Sequence, residues 1–259
     1  MKATLKISRS HLLQLLRCID RVIGVPDEDT HSDVNLIVND EYIKLYSFLN
    51  PVFISHKVKD GTEISVDVES EGKIAFNTDT LYDIVKNSEE GSLEIVFTDE
   101  QYLIQTPGGD SLSPVNFELP RHTDTSFKEQ PTDLGELYSI ETVSRTELKS
   151  ALGTMDVIGE FVNISVTEDG NFSISMDNKV TGNAELKKEG CTTDISKMSQ
   201  LYMVGPLKEF VSTMTDASEV EMLVSDNNNI CLRASVDNWT AELHLGKKAG
   251  DMFDTYLDI

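Results

Sequence analysis

The order of elements along this chain comes round twice, and that repetition limits the available folds more than any other feature. Ser8-Arg9-Ser10-x-Leu12 recurs as Ser144-Arg145-Thr146-x-Leu148, and Leu81-x-x-x-Val85 recurs as Leu207-x-x-x-Val211. Around these marks the periodicities repeat as well. Apolar residues at 12, 16, 19 and 23 trace one helical face, with Ser8 placed to cap the helix and Gly24 and Pro26 to end it. Residues 78–86 predict a second, shorter helix. Short β-type runs surround the pair, at 34–38, 42–47, 52–58, 63–68, 73–76, 93–97, 102–106 and 111–117, several of them alternating apolar with polar residues. The later half predicts helices opening at Ser144 and at Gly205, among strands at 138–143, 162–166, 172–176, 180–186, 201–204, 220–224, 230–234 and 239–245. A tandem duplication of a strand-rich unit with two helices accounts for the whole pattern, and the fold class is α+β.

With 259 residues, 39% of them hydrophobic, the chain can bury two cores of ordinary domain size. The expected divisions are 1–117 and 138–248. They are joined by a linker at 118–137, where Pro120, Pro131 and Gly135 interrupt any period. A tail at 249–259 sets Met252, Phe253, Tyr256 and Leu257 among aspartates. It reads either as a frayed acidic terminus or as a short amphipathic turn packed on the chain's own surface. No run of 18 apolar residues and no secretory h-region is present, so a cytoplasmic protein without a membrane partner is expected.

Cys18, Cys191 and Cys231 are odd in number and scattered, which excludes a disulfide framework and a C-x-x-C knuckle; they read as small buried residues. Three N-x-[ST] triplets, at Asn163, Asn171 and Asn238, carry little weight in a chain without a secretion signal. The five histidines are far apart, and the chain has no G-x-S-x-G, H-E-x-x-H or Walker-type loop. Asp27-x-Asp29-x-His31-x-Asp33 has the beginning of a calcium loop, but Ser32 stands where the glycine is needed and Val38 where the closing glutamate belongs. An enzyme is therefore not expected, and neither a cofactor nor a metal.

The formal charge is −23, from 22 Lys+Arg against 45 Asp+Glu, and it divides almost equally between the two halves. Such an acidic, lysine-poor surface suits a protein kept soluble in concentrated salt, where the Debye length shrinks to about 3 Å at 1 M. A halophilic source, a haloarchaeon or its virus, follows as an expectation. Taken alone the charge argues against nucleic acid. The few cations nonetheless gather on the helices: Arg9, Arg17 and Arg21 on the first, the last two sharing a face with Ser10 and Gln14; Lys86 on the second; Arg145 and Lys149 on the third; and Lys208 on the fourth.

The duplicated unit, the helix from Leu12 to Ile23, the run Tyr202-x-x-x-x-Leu207-Lys208-Glu209-Phe210-Val211 and the closing Glu242-Leu243-His244-Leu245-Gly246 resemble DNA sliding clamps of the proliferating cell nuclear antigen (PCNA) family. The likeness spans residues 2 to about 248. It implies a DNA-clamp fold of two similar domains and a homotrimeric ring that encircles double-stranded DNA without reading sequence. Such a ring is opened by a clamp loader and tethers DNA polymerase and other replication and repair proteins. It implies that Arg9, Ser10, Gln14, Arg17, Arg21, Lys86, Arg145, Lys149 and Lys208 face the duplex. A partner peptide would lie in a groove formed by Phe48, Leu49, Pro51, Val52, Leu134, Leu137, His244, Leu245 and Gly246. Subunits would pair edge to edge, the strand with Ser111, Val115 and Phe117 meeting the strand with Val180, Gly182, Ala184 and Leu186 of the next chain. Two other readings stay open: a clamp-like subunit of a hetero-oligomer, and a non-enzymatic β-rich structural protein of a halophile.

Overall fold

Ser8 caps the first helix as its sequence context predicts: its Oγ accepts the His11 amide at 3.2 Å. The computed structural model describes residues 1–23, 33–62, 64–106, 115–120, 127–131, 134–191, 193, 195 and 197–247; the predicted stop at Gly24 and Pro26 and the tail 249–259 lie outside them. The described residues divide into two compact units. The first takes in residues 1–48, 54–130 and 235–241, the second residues 49–53, 131–234 and those from 242 onward.

The first half of the chain runs β1 (Lys2–Ser8), α1 (Arg9–Ile23), β2 (Asp33–Val38), β3 (Tyr42–Leu49), β4 (Val52–Lys59), β5 (Ser65–Ser70), β6 (Gly72–Asn77), α2 (Thr78–Asn87), β7 (Ser92–Thr98), β8 (Gln101–Thr106) and β9 (Val115–Pro120). One sheet has the order β5-β1-β7-β8-β9, and β4-β3-β2-β6 are neighbours in another. Alternation decides which face is buried. Ala3, Leu5 and Ile7 of β1 and Leu93, Ile95 and Phe97 of β7 point into the core, while Lys2 and Lys6 point out. Against this core α1 packs Leu12, Leu16 and Ile19, and α2 packs Leu81 and Val85, all nearly inaccessible. Each such side chain contributes roughly 1.5–3 kcal/mol by leaving water.

The second half of the chain repeats the plan with β10 (Leu137–Ser144), α3 (Arg145–Ile158), β11 (Phe161–Val166), β12 (Phe172–Asn178), β13 (Gly182–Lys188), β14 (Met198–Met203), α4 (Val204–Thr213), β15 (Glu219–Ser225), β16 (Ile230–Val236) and β17 (Trp239–Leu245). Its sheets have the orders β13-β12-β11-β14 and β10-β15-β16-β17. Leu148 and Leu152 of α3 and Leu207 and Val211 of α4 repeat the helical core contacts of the first unit. The pairings of β1 with β5 and β7, β2 with β3 and β6, and β8 with β7 and β9 are antiparallel, as are those of β15 with β10 and β16, β11 with β12 and β14, and β12 with β13.

Three expectations change in detail. Val180 is not in a strand: it sits in the β12–β13 turn, 93% exposed, its amide donating to Asn178 Oδ1 at 2.9 Å. The Asn178 side chain bends the backbone there, and Gly182, at φ +117°, opens the returning strand. The fourth helix begins at Val204, one residue before Gly205, with Pro206 in the first turn where no amide is needed. At the linker's start β9 continues through Pro120.

Candidate functional site

The repeated sequence marks meet each other in space. Arg9 opens α1 and reaches the end of α2, where its Nε donates to the Val85 carbonyl at 2.9 Å and an Nη to the Lys86 carbonyl at 2.6 Å; Glu90 holds the other Nη. In the second unit Arg145 opens α3, and its Nη1 donates to the Val211 carbonyl at 3.4 Å. The backbone repeats the arrangement, Arg9 N bonding Gly91 O and Arg145 N bonding Ser218 O, both at 2.9 Å. Each arginine thus satisfies carbonyls that the helix end leaves open, with its charge at the negative end of the dipole. The Ser-Arg and Leu-x-x-x-Val repeats are two halves of one contact, made once per unit.

The remaining predicted helix-face residues separate into two environments. Ser10, Arg17, Arg21 and Lys86 are exposed, whereas Gln14, 9% exposed, lies in the buried arc of α1 instead of on the outward face expected for it. That arc is wide because α1 packs on α2 as well as on β1, so Leu13, Gln14 and Leu15 are all covered. Tyr82 of α2 organises the exposed cations: its hydroxyl accepts Arg17 Nε at 3.2 Å, and Lys86 Nζ lies 5.8 Å from its ring centroid. In the second unit Lys149 is exposed, but Lys208 is tied to Asp156 at 2.6 Å and to Glu209 at 3.7 Å. The hydrogen bond that Lys208 donates to Asp156 raises the Lys208 pKa. Tyr82 carries no motif that would mark it, since its importance comes from α1 lying beside α2.

The residues expected to form a peptide groove gather, with one exception, around the β15–β16 turn of the second unit. Gly135 approaches Ser225 so closely that a Cβ would meet Ser225 Cβ at 2.8 Å, and the Glu136 carbonyl accepts the Asp226 amide at 3.1 Å. This fixes the chain between Leu134 and Leu137, both half-buried. On the other side Gly246 N donates to Pro51 O at 2.9 Å, and a Cβ on Gly246 would meet Pro51 Cβ at 3.0 Å and Asn229 Oδ1 at 3.8 Å. The Asn50–Pro51 peptide is cis, and Leu49 beside it is 47% exposed. Beneath, Val52, His244 and Leu245 are buried, and the His244 ring meets Phe53 edge-on at 5.6 Å. Phe48 falls in the first unit, where Lys128 Nζ lies 6.0 Å from its ring.

A polar ladder crosses the neighbouring strands. Arg233 of β16 bonds Glu242 of β17 at 2.7 Å and Glu221 of β15 at 3.0 Å, and Glu242 lies 3.5 Å from His244 Nε2. Burial pushes the Glu242 carboxyl up, but the bonds from His244 and Arg233 and the Arg233 charge outweigh it and bring the pKa to about 2. The His244 ring is thus held between Glu242 and Phe53. Among the described residues no group of three His, Cys, Asp or Glu is placed to hold a metal, and no helix is long and apolar enough to cross a membrane.

Of the residues expected at subunit contacts, Ser111 lies outside the described residues. Val115 and Phe117 belong to β9, which ends the first unit's sheet, and Gly182, Ala184 and Leu186 belong to β13, which ends a sheet of the second. Val115 is exposed.

Two helices on antiparallel sheets, given twice, define the fold of a PCNA-type sliding clamp. The chain is similar in structure to PCNA from Thermococcus kodakaraensis, solved by crystallography, with a TM-score of 0.74 at 16% identity; the match covers 96% of this chain and 100% of that one. No protein-family model matches the sequence. No curated protein matches it either.

Proposed function

We propose that three copies of this chain close into a ring around duplex DNA and serve as a sliding processivity factor, without catalysis of their own. DNA polymerase, the clamp loader and other proteins would engage it by short peptides. The observation that carries this reading is the doubled helix pair with its cations, in a chain that shares the clamp fold along nearly all of its length. Sequence-independent attraction between cations and phosphates suits a protein that must move along the duplex, and topology, not affinity, supplies retention. The edges at β9 and β13 supply pairing surfaces for neighbouring copies, which would also cover strands otherwise open to uncontrolled association.

The apolar Leu49, with Leu134 and Leu137 beside the β15–β16 turn, is the proposed seat for a partner peptide anchored by two aromatic residues and an aliphatic one. The net charge of −23 per chain suits assembly in concentrated salt in a halophilic archaeal cell, whether the gene is the cell's or a virus's. Sizing in multimolar KCl, with and without a polymerase-tail peptide, tests the assembly. A particle near three times 28.8 kDa that binds the peptide supports it. A monomer at every concentration contradicts it, and a trimer-sized particle formed only with a second polypeptide would show a hetero-oligomer instead.

A further inference from the structure

The two helix pairs differ on their exposed side, and we propose that this chain contacts the phosphate backbone through its first unit alone, by Arg17 and Lys86 arranged around Tyr82. The inference rests on the reading of the chain as a clamp on duplex DNA, and it names which of the two repeated surfaces attracts the duplex. The shared arginine contacts fix the correspondence: Arg9 with Val85 matches Arg145 with Val211, which aligns α1 with α3 and α2 with α4. Arg17 then corresponds to Gly153, Arg21 to Val157 and Lys86 to Ser212, while Tyr82 corresponds to Lys208. Two acids are kept, since Asp20 and Asp83 correspond to Asp156 and Glu209. Going from the first helix pair to the second, the cations at Arg17, Arg21 and Lys86 are lost and two are gained, Lys149 at the position of Leu13 and Lys208 at that of Tyr82.

Pairing deepens the difference. Among the described residues Arg17 uses only Nε, on the Tyr82 hydroxyl, which leaves both Nη groups as a fork suited to phosphate oxygens. Lys86 has the Tyr82 ring as its neighbour, one turn along α2. Lys208 is instead neutralised by Asp156 at 2.6 Å, and Val157, at the position of Arg21, is 83% exposed and apolar. Lys149 is the one exposed cation of α3 and α4. Tyr82 is a positioning residue: one side chain orients a cation from each helix of the pair.

The test measures association of the whole protein with a short linear duplex as KCl is raised. The Arg17→Gln/Lys86→Gln variant should flatten the dependence of log K on log salt by about two counterions' worth, at roughly 0.9 per phosphate contact. Tyr82→Leu should move the slope in the same direction without lowering the melting temperature, and Tyr82→Phe, which keeps the ring beside Lys86, should recover part of it. Lys149→Gln/Lys208→Gln should leave the slope unchanged. An unchanged slope in the Arg17/Lys86 variant, or an equal loss in the Lys149/Lys208 variant, overturns the proposal. Retention of the loaded variants on closed circular DNA is measured alongside. Retention with an unaltered slope refutes this inference and leaves the clamp reading standing, whereas no retention by the unsubstituted protein refutes the clamp reading itself.

Discussion

Arg9 and Arg145 occupy one structural position twice, and the geometry ranks them. Arg9 makes two carbonyl bonds at 2.9 and 2.6 Å, whereas Arg145 makes one at 3.4 Å. Charged hydrogen bonds of this kind are worth about 1.5–3 kcal/mol. Arg9→Ala is therefore expected to lower the unfolding free energy read from denaturant titration by an amount in that range, and Arg145→Ala by distinctly less. His56 makes a second prediction. It is wholly buried, neither ring nitrogen has a hydrogen-bond partner among the described residues, and burial lowers its pKa from 6.5 to about 3. The unfolded chain binds a proton there well before the folded one does. His56 therefore makes stability fall as pH drops from about 6.5 toward 3. Glu242, lowered from 4.5 to about 2, costs stability only in the more acid window below its ordinary value. Thermal melts between pH 7 and 5 should thus show a loss that His56→Leu removes. A His56→Leu protein with the same pH slope as the original would refute the assignment.

Elements were legible in the sequence where their signals are local. The Ser8 cap, the helical face of Leu12, Leu16 and Ile19, and the alternation in β1 and β7 depend on neighbours in the chain, and the helices and strands fall where those signals place them. Signals failed where a distant element decides. Gln14 has the spacing of an exposed residue on an isolated helix, but the packing of α1 against α2 covers it. Val180 has strand propensity, but the Asn178 side chain commits its amide to a turn. Tyr82 was invisible because only the pairing of α1 with α2 sets Arg17 beside it. The linker around Gly135 shows no period in the sequence, yet Gly135 has φ +78° and no room for a Cβ against Ser225. Gly135→Ala is accordingly expected to destabilise the second unit by about 1–3 kcal/mol. It should also weaken peptide binding beside Leu134 and Leu137, as read by denaturation and by titration with a labelled peptide. Unchanged stability and affinity would mean that this joint does not shape the seat.

Considered as a whole, the molecule opposes two charge distributions. The net −23 would repel a duplex, while the exposed Arg17, Arg21 and Lys86 of the first unit offer a local exception. A protein so charged gains little from affinity for DNA, and in concentrated salt what affinity remains is screened. On the clamp reading we propose, its hold on DNA would come from closure around the duplex, and closure has a signature that affinity lacks. The measurement is retention on closed circular duplex after loading, followed by one double-strand cut in the circle, with salt held high throughout. The account predicts that the protein stays on the intact circle and is lost quickly once the cut provides an end. Equal retention before and after the cut, or none on the closed circle despite successful loading, would contradict it.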